Sequence, residues 1–254
     1  MCSMWLDRRW PRRHRSFEWV EERASADIVL VLRGDEPPTV AVNAVSTIFG
    51  SPLVRTLYST VHVYSGADAR SVVVAVEEWS EAMRFFTFTR VKQHHGLRQL
   101  KLGRTVAGRN GGGGGAHLAY IIDNYYTLPN FVLFARPTPL HNGGLFRARV
   151  KAMGANEASV RMYALGTVSA CSCDDADTAV QVREMYAMAT GQLCRPFTSY
   201  AGGEFLVSRL AIRQQSLLFY VKLRNESLLL HEVLESIWPV IFGCVTPSSG
   251  GVCN

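Results

Sequence analysis

Residues 103–142 read GRTVAGRNGGGGGAHLAYIIDNYYTLPNFVLFARPTPLHN, and the fold class follows from them. Leu118, Ile121, Ile122 and Tyr125 recur at the three-and-four spacing of one helical face, with Asp123 and Asn124 on the other side. Pro129 marks the break, because the residue before a proline is pushed out of helical space. Residues 131–134 (FVLF) are an uninterrupted apolar run, the pattern of a strand buried on both faces. A helix followed by a buried strand is an α/β unit. It sets a helix N-terminus beside the C-terminal end of a strand, where such sheets take ligands.

The five glycines at 111–115 can bring backbone N–H groups close to an anion. No Lys-Ser or Lys-Thr pair follows them, so they are not a P-loop. No side chains separate them, so they are not a dinucleotide fingerprint. The plainer expectation is a flexible insertion. His117 then opens the helix, either as a first-turn surface residue or as a contact to a phosphate or hydroxyl.

With 254 residues, 48% of them hydrophobic, the chain can bury a sizeable core. We expect a basic, poorly ordered arm over residues 1–26, one α/β domain over 27–243 and a flexible tail over 244–254. The net charge is +6 and comes mostly from arginine, the only lysines being Lys92, Lys101, Lys151 and Lys222. Such a balance favours anionic partners, phosphate-bearing small molecules among them. No aromatic-basic RNA-binding signature is present, so nucleic acid is not expected. The arm has no apolar core of the kind a secretory signal needs. The longest apolar runs, such as residues 72–76, are far too short to span a bilayer. A cytoplasmic location is the default. Six cysteines (Cys2, Cys171, Cys173, Cys194, Cys244 and Cys253) fit neither a zinc site nor a compact disulfide framework. Reduced thiols are expected, with Cys194 able to pair with Cys171 or Cys173 in an oxidising compartment.

Elsewhere the grammar is that of alternating strands and helices. Strands are expected at 27–32, 60–64, 72–76, 86–91, 100–102, 160–166 and 204–207, and helices at 40–49 and 77–85. Asp174, Asp175 and Asp177 precede an apolar-periodic run to Met188 and suit a first helical turn. Ser208 is a natural N-cap for a helix over 209–223. A last helix carries Leu230, Val233, Leu234, Ile237 and Trp238 on one stripe, ended by Pro239 and Gly243. His94 and His95 read as surface residues, since adjacent side chains point apart.

Four segments in this order resemble an uncharacterised family called domain of unknown function 3431: DIVLVLRGDEP (27–37), VHVYSG (61–66), GRNGGGGGAHLAYIIDNYYTLPNFVLF (108–134), and YAGGEFLVSRLAIRQQSLLFYVKL with HEVLESIWPVIFG (200–223 and 231–243). That family in turn looks like the GT-A nucleotide-sugar glycosyltransferases. The resemblance implies a single α/β domain with a mostly parallel mixed sheet flanked by helices, and a nucleotide-sugar donor. It places Asp35 and Glu36 near the base or ribose, Arg109 and His117 near the diphosphate, and Glu204 near the acceptor. The segment from Arg136 to Asn142 stands where the family's metal loop would be. Glu204, or failing it His141, is then the candidate base, and Arg136 and Asn142 join the substrate-binding set.

The sequence departs from that pattern in three places. Asn110 stands where an acid usually follows Gly-Arg. The strand end Phe134-Ala135-Arg136-Pro137 carries no acid, and Glu204 replaces a common amide. No Asp-x-Asp is present, so a divalent cation lacks its expected oxygen ligands. Arg136 can instead neutralise a diphosphate directly. The competing expectation is a non-catalytic binding or scaffold protein that keeps the fold.

Overall fold

The computed structural model describes residues 25–32, 37–51, 54, 58–65, 71–72, 74–79, 97–102, 113–136, 143–152, 160–174, 179–200, 203–226, 231–244 and 252–253. The elements run β1 (Ser25–Leu32), α1 (Pro38–Phe49), β2 (Tyr58–Ser65), β3 (Leu97–Leu102), α2 (Gly113–Asn124), β4 (Phe131–Ala135), α3 (Gly143–Ala152), β5 (Met162–Ala164) and β6 (Val168–Cys171). There follow α4 (Ala179–Thr190), β7 (Phe197–Tyr200), β8 (Phe205–Ser208), α5 (Arg209–Ile212), α6 (Leu217–Glu226), α7 (His231–Ile241) and β9 (Val252–Cys253).

One seven-stranded sheet has the order β3-β2-β1-β4-β8-β5-β9, and β6 and β7 form a separate ladder. The chain is therefore an α/β protein with a mixed sheet. Its pairings divide evenly rather than being mostly parallel: β3-β2, β2-β1 and β1-β4 are parallel, whereas β4-β8, β8-β5 and β5-β9 are antiparallel. Residues alternate between the faces with the period of two that strands impose. Ile28, Leu30, Val61, Val63 and Leu133 pack beneath α1 and α3. Val29, Val31, Val132, Phe134, Phe205 and Val207 pack beneath α2, α4, α6 and α7. All of β4 is buried, as its unbroken apolar run requires. No helix among the described residues is long and apolar enough to cross a membrane.

Several expectations are corrected. Residues 71–72 and 74–79 are helical, not a strand over 72–76. Val72 and Val76, four apart, are buried while Val74 is 50% exposed, so the β-branched run follows a helical period. Residues 143–152, a stretch without clear periodicity, form α3. The helix expected over 209–223 is two helices, α5 and α6. Ser208 caps the first by accepting a bond from the Ala211 N–H, and Ser216 Oγ accepts one from the Phe219 N–H at 3.2 Å at the start of the second. Pro239 lies inside α7 instead of ending it. Gly243, at φ 73°, provides the stop.

The glycine run is also not simply an insertion, because Gly113, Gly114 and Gly115 form the first turn of α2. A Cβ on Gly114 would lie 2.8 Å from Leu234 Cδ2 and 3.1 Å from its Cγ. Leu234 is itself fully buried, so glycine lets α2 and α7 approach closely. Four of the cysteines form disulfides rather than staying reduced: Cys173 with Cys194 and Cys244 with Cys253, at Cα separations of 6.0 and 5.8 Å. The expected tail contributes β9, which pairs with β5 and is tied to the end of α7 by the second of these bonds.

Candidate functional site

In an open α/β sheet, ligands bind outside the carboxyl ends of the strands, where the strand order reverses. Here the reversal falls between β1, which leads outward through β2 to β3, and its other neighbour β4. β4 ends at Ala135 and Arg136 follows at once. β8 is antiparallel to β4, with Phe205 opposite Phe134. Its leading residues, Gly203 and Glu204, therefore arrive at the same edge. α2 brings His117 there and α7 brings Glu235 and Trp238.

Each side chain has an identifiable environment. Arg136 is buried and its Nη2 donates a short hydrogen bond to Glu235 Oε1. The side chain of Glu235 is 23% exposed and that of Arg136 only 8%, so the carboxylate is the water-facing member of the pair. Glu204 is buried, and the Arg136 backbone N–H donates to its carboxyl group. Burial pushes the Glu204 pKa up to about 7, and the charge and hydrogen bond of Arg136 only partly oppose this. His117 is completely buried. Its ring centroid lies 4.3 Å from that of Phe134, 5.6 Å from Phe205 and 5.7 Å from Trp238. Burial first, and the nearby Arg136 charge second, lower its pKa and keep the imidazole neutral. Gly203, at φ 64°, lies against the ring, and a Cβ there would sit 3.1 Å from His117 Cε1. A side chain at 203 would be both strained and crowded.

What sets this place apart is its unpaired polar atoms. Among the described residues, five buried side-chain polar atoms lack a hydrogen-bond partner. Four of them are His117 Nδ1, His117 Nε2, Glu204 Oε1 and Trp238 Nε1. Leaving such a group unpaired costs about 1–3 kcal/mol, so four together call for a polar guest, water or ligand. The set offers a neutral imidazole, a carboxyl group that titrates near neutrality, an indole donor and a guanidinium. Such a set can bind an anion and move a proton.

A second buried polar group hangs from the same helix, further down the sheet. Tyr120 Oη donates to Asp27 Oδ2 at 2.5 Å, and His62 Nε2 lies 3.0 Å from the same oxygen. The tyrosine hydroxyl and His62 Nε2 thus share one carboxylate oxygen, and none of the three side chains is among the unpaired buried groups.

Of the residues singled out in the sequence, His117, Arg136 and Glu204 come together. Asp35, Glu36, Arg109, His141 and Asn142 lie outside the described residues. His117 is neither a first-turn nor a surface residue, because the glycines before it supply the first turn and the helix lies flat on the sheet. Glu235 and Trp238 were missed as site residues. Trp238 read as core, which it also is. The available signal for Glu235 was an acid set between the apolar pairs Val233-Leu234 and Ile237-Trp238. Among the described residues no group of three or more His, Cys, Asp or Glu is placed to hold a metal, and Glu235 is engaged by Arg136. Neither a protein-family profile nor any curated protein matches the sequence.

Proposed function

We propose that the chain is a GT-A-like protein that binds a nucleotide-sugar donor at the carboxyl edge of its sheet and transfers the sugar without a metal ion. The observation that carries the reading is the cluster of Arg136, Glu204 and His117 at the strand-order reversal, with its four unpaired buried polar atoms. Support also comes from the order of parts. An opening strand, a mid-chain strand that ends at Arg136, and a glycine-led strand followed by apolar helices meet at one edge, an order compatible with the GT-A pattern.

In this reading Arg136 takes the charge that develops on the leaving diphosphate as the bond from the anomeric carbon to the diphosphate oxygen breaks. Glu204 accepts the proton of the acceptor hydroxyl as its oxygen attacks that carbon. A base that titrates near 7 is matched to work at neutral pH. His117 stays neutral and can donate one hydrogen bond and accept another, which orients a sugar hydroxyl without adding charge.

The test is release of nucleoside diphosphate from a panel of nucleotide sugars, read with and without manganese. The reading expects turnover that is indifferent to the metal and that Glu204→Gln reduces by about a hundredfold or more, the scale of a lost general base. Donor binding without turnover would favour the second reading, a non-catalytic binding protein. One observation favours that alternative: β4 ends in Ala135 and Arg136, where the resemblance calls for a metal-binding acid.

A further inference from the structure

We infer that Glu235 and the phosphate groups of the ligand compete for one guanidinium, so that Glu235 acts as a built-in brake on anion binding at Arg136. The inference rests on the donor site proposed above and adds the residue that sets its affinity.

Arg136 cannot lose its charge, and a buried guanidinium demands an oxygen partner. Two carboxyl groups stand beside it. Glu204 approaches its backbone and, with burial raising its pKa to about 7, is only partly ionised at neutrality, so it supplies at most part of a countercharge. Glu235 makes the charge-assisted bond and is the ion-pair partner of Arg136 among the described residues. Arg136 and Glu235 together are neutral, and His117 and Trp238 behind them add nothing. An anion entering this site therefore meets no net attraction while the pair is intact.

The geometry assigns the side from which the exchange occurs. Glu235 is the more exposed partner and is carried by α7, whereas Arg136 is fixed to the end of a fully buried strand. A phosphate arriving from solvent reaches the guanidinium on the Glu235 side. The displaced carboxylate can move into water, where it is well solvated, while the arginine stays in place. A planar guanidinium takes phosphate oxygens in the same forked geometry as a carboxylate. One charge-assisted hydrogen bond is worth about 1.5–3 kcal/mol, which corresponds to an affinity change of roughly tenfold to a hundredfold.

The experiment is isothermal titration of the full chain with inorganic pyrophosphate, and separately with a nucleoside diphosphate. Wild type, Glu235→Gln, Glu235→Asp and Arg136→Ala are compared after each is shown to melt cooperatively. Glu235→Gln should bind pyrophosphate at least tenfold more tightly than wild type. Glu235→Asp should stay within a few fold of wild type, and Arg136→Ala should lose the binding. Should the Gln variant fail to fold, the Glu235 carboxyl-carbon resonance of wild type provides the reading, since saturation with pyrophosphate must move it to its solvated position. Unchanged or weaker binding in Glu235→Gln, or an unmoved Glu235 resonance at saturation, overturns the inference. The donor reading fails separately. A nucleoside diphosphate that binds in an Arg136-dependent way but is indifferent to Glu235 leaves that reading standing and removes the brake. Pyrophosphate that binds with the expected Glu235 effect, alongside nucleotides that do not bind, removes the nucleotide and keeps the brake.

Discussion

Helix α2 carries two buried polar side chains three residues apart, and they live in opposite circumstances. Tyr120 closes a network in which the oxygen of Asp27 receives both the tyrosine hydroxyl and the His62 ring. His117, one turn nearer the carboxyl ends of the strands, has two ring nitrogens with nothing to bond to, among further unpaired atoms of Glu204 and Trp238. Both are surrounded by aromatic rings, and Phe134 touches both. Burial alone therefore does not mark a site. A structural polar network satisfies itself, whereas a binding site leaves donors and acceptors for something else to satisfy.

The largest expected effect comes from Arg136→Ala. It should abolish anion binding, and because the freed Glu235, 23% exposed, can turn towards water, it should cost about 1–3 kcal/mol of stability, measurable by urea denaturation. The paired change Arg136→Met with Glu235→Gln should recover most of that stability, because removing both charges is close to neutral. It should not recover anion binding. If binding returned as well, the upper cluster would be as purely structural as the lower one.

Next in size is Glu204→Gln. The folded pKa of about 7 lies above the ordinary glutamate value of 4.5, so the folded state holds a proton that the unfolded chain releases. The stability linked to this group is fully present below pH 4.5 and is lost as pH rises towards 7. At pH 8 Glu204→Gln should therefore be more stable than wild type by on the order of 3 kcal/mol. His117 has the opposite sign. Its folded pKa is lowered below 6.5, so its contribution is intact above that pH and is lost as pH falls. The two slopes oppose each other between pH 4.5 and 6.5. Each single variant should therefore expose the slope of the other group. A wild-type profile unaltered by both substitutions would show that neither group titrates as its environment dictates.

Smaller effects sharpen the contrast. Tyr120→Phe should cost about 1–2 kcal/mol, since Asp27 loses a charge-assisted donor, and should leave ligand affinity untouched. His117→Phe should do the reverse. It removes two unpaired nitrogens from an apolar cage, which should raise stability by about 1 kcal/mol, and it should weaken ligand binding. Melting curves with and without nucleotide separate the two outcomes. A His117→Phe variant that is less stable and binds normally would mean that the imidazole is core and nothing more.

Much of the frame was legible in the sequence, for physical reasons. The run at 131–134 has the pattern of a strand buried on both faces, and it is the centre of the sheet. The residues that follow and face it, Arg136 and Glu204, are expected at one site only through the resemblance to the GT-A pattern, not from any signal of their own in the sequence. Other parts were hidden. The valines at 72–76 favour strands intrinsically, and only the need for a crossover between two parallel strands makes them helical. The glycines at 113–115 look like a hinge until Leu234, more than a hundred residues away in sequence, fills the space their missing side chains leave. Glu235 showed only as an acid between two apolar pairs, because the partner that gives it a role is brought to it by the fold. The Cys244–Cys253 bond escaped for the same reason, since the two meet only because β9 returns to the sheet edge beside α7, whereas Cys173 was already among the partners open to Cys194.

The central claim is that the upper cluster is a ligand site built on Arg136. It is tested most directly by the thermal shift that a panel of nucleoside diphosphates and nucleotide sugars produces in wild type and in the Arg136→Met, Glu235→Gln double variant. Binding to the folded state raises the melting temperature by mass action, by about 2.7 kcal/mol of stability at a hundredfold excess over Kd. The account predicts a clear rise with at least one nucleotide in wild type and none in the double variant. No rise with any nucleotide from a cooperatively melting wild type, or equal rises in both proteins, would contradict it.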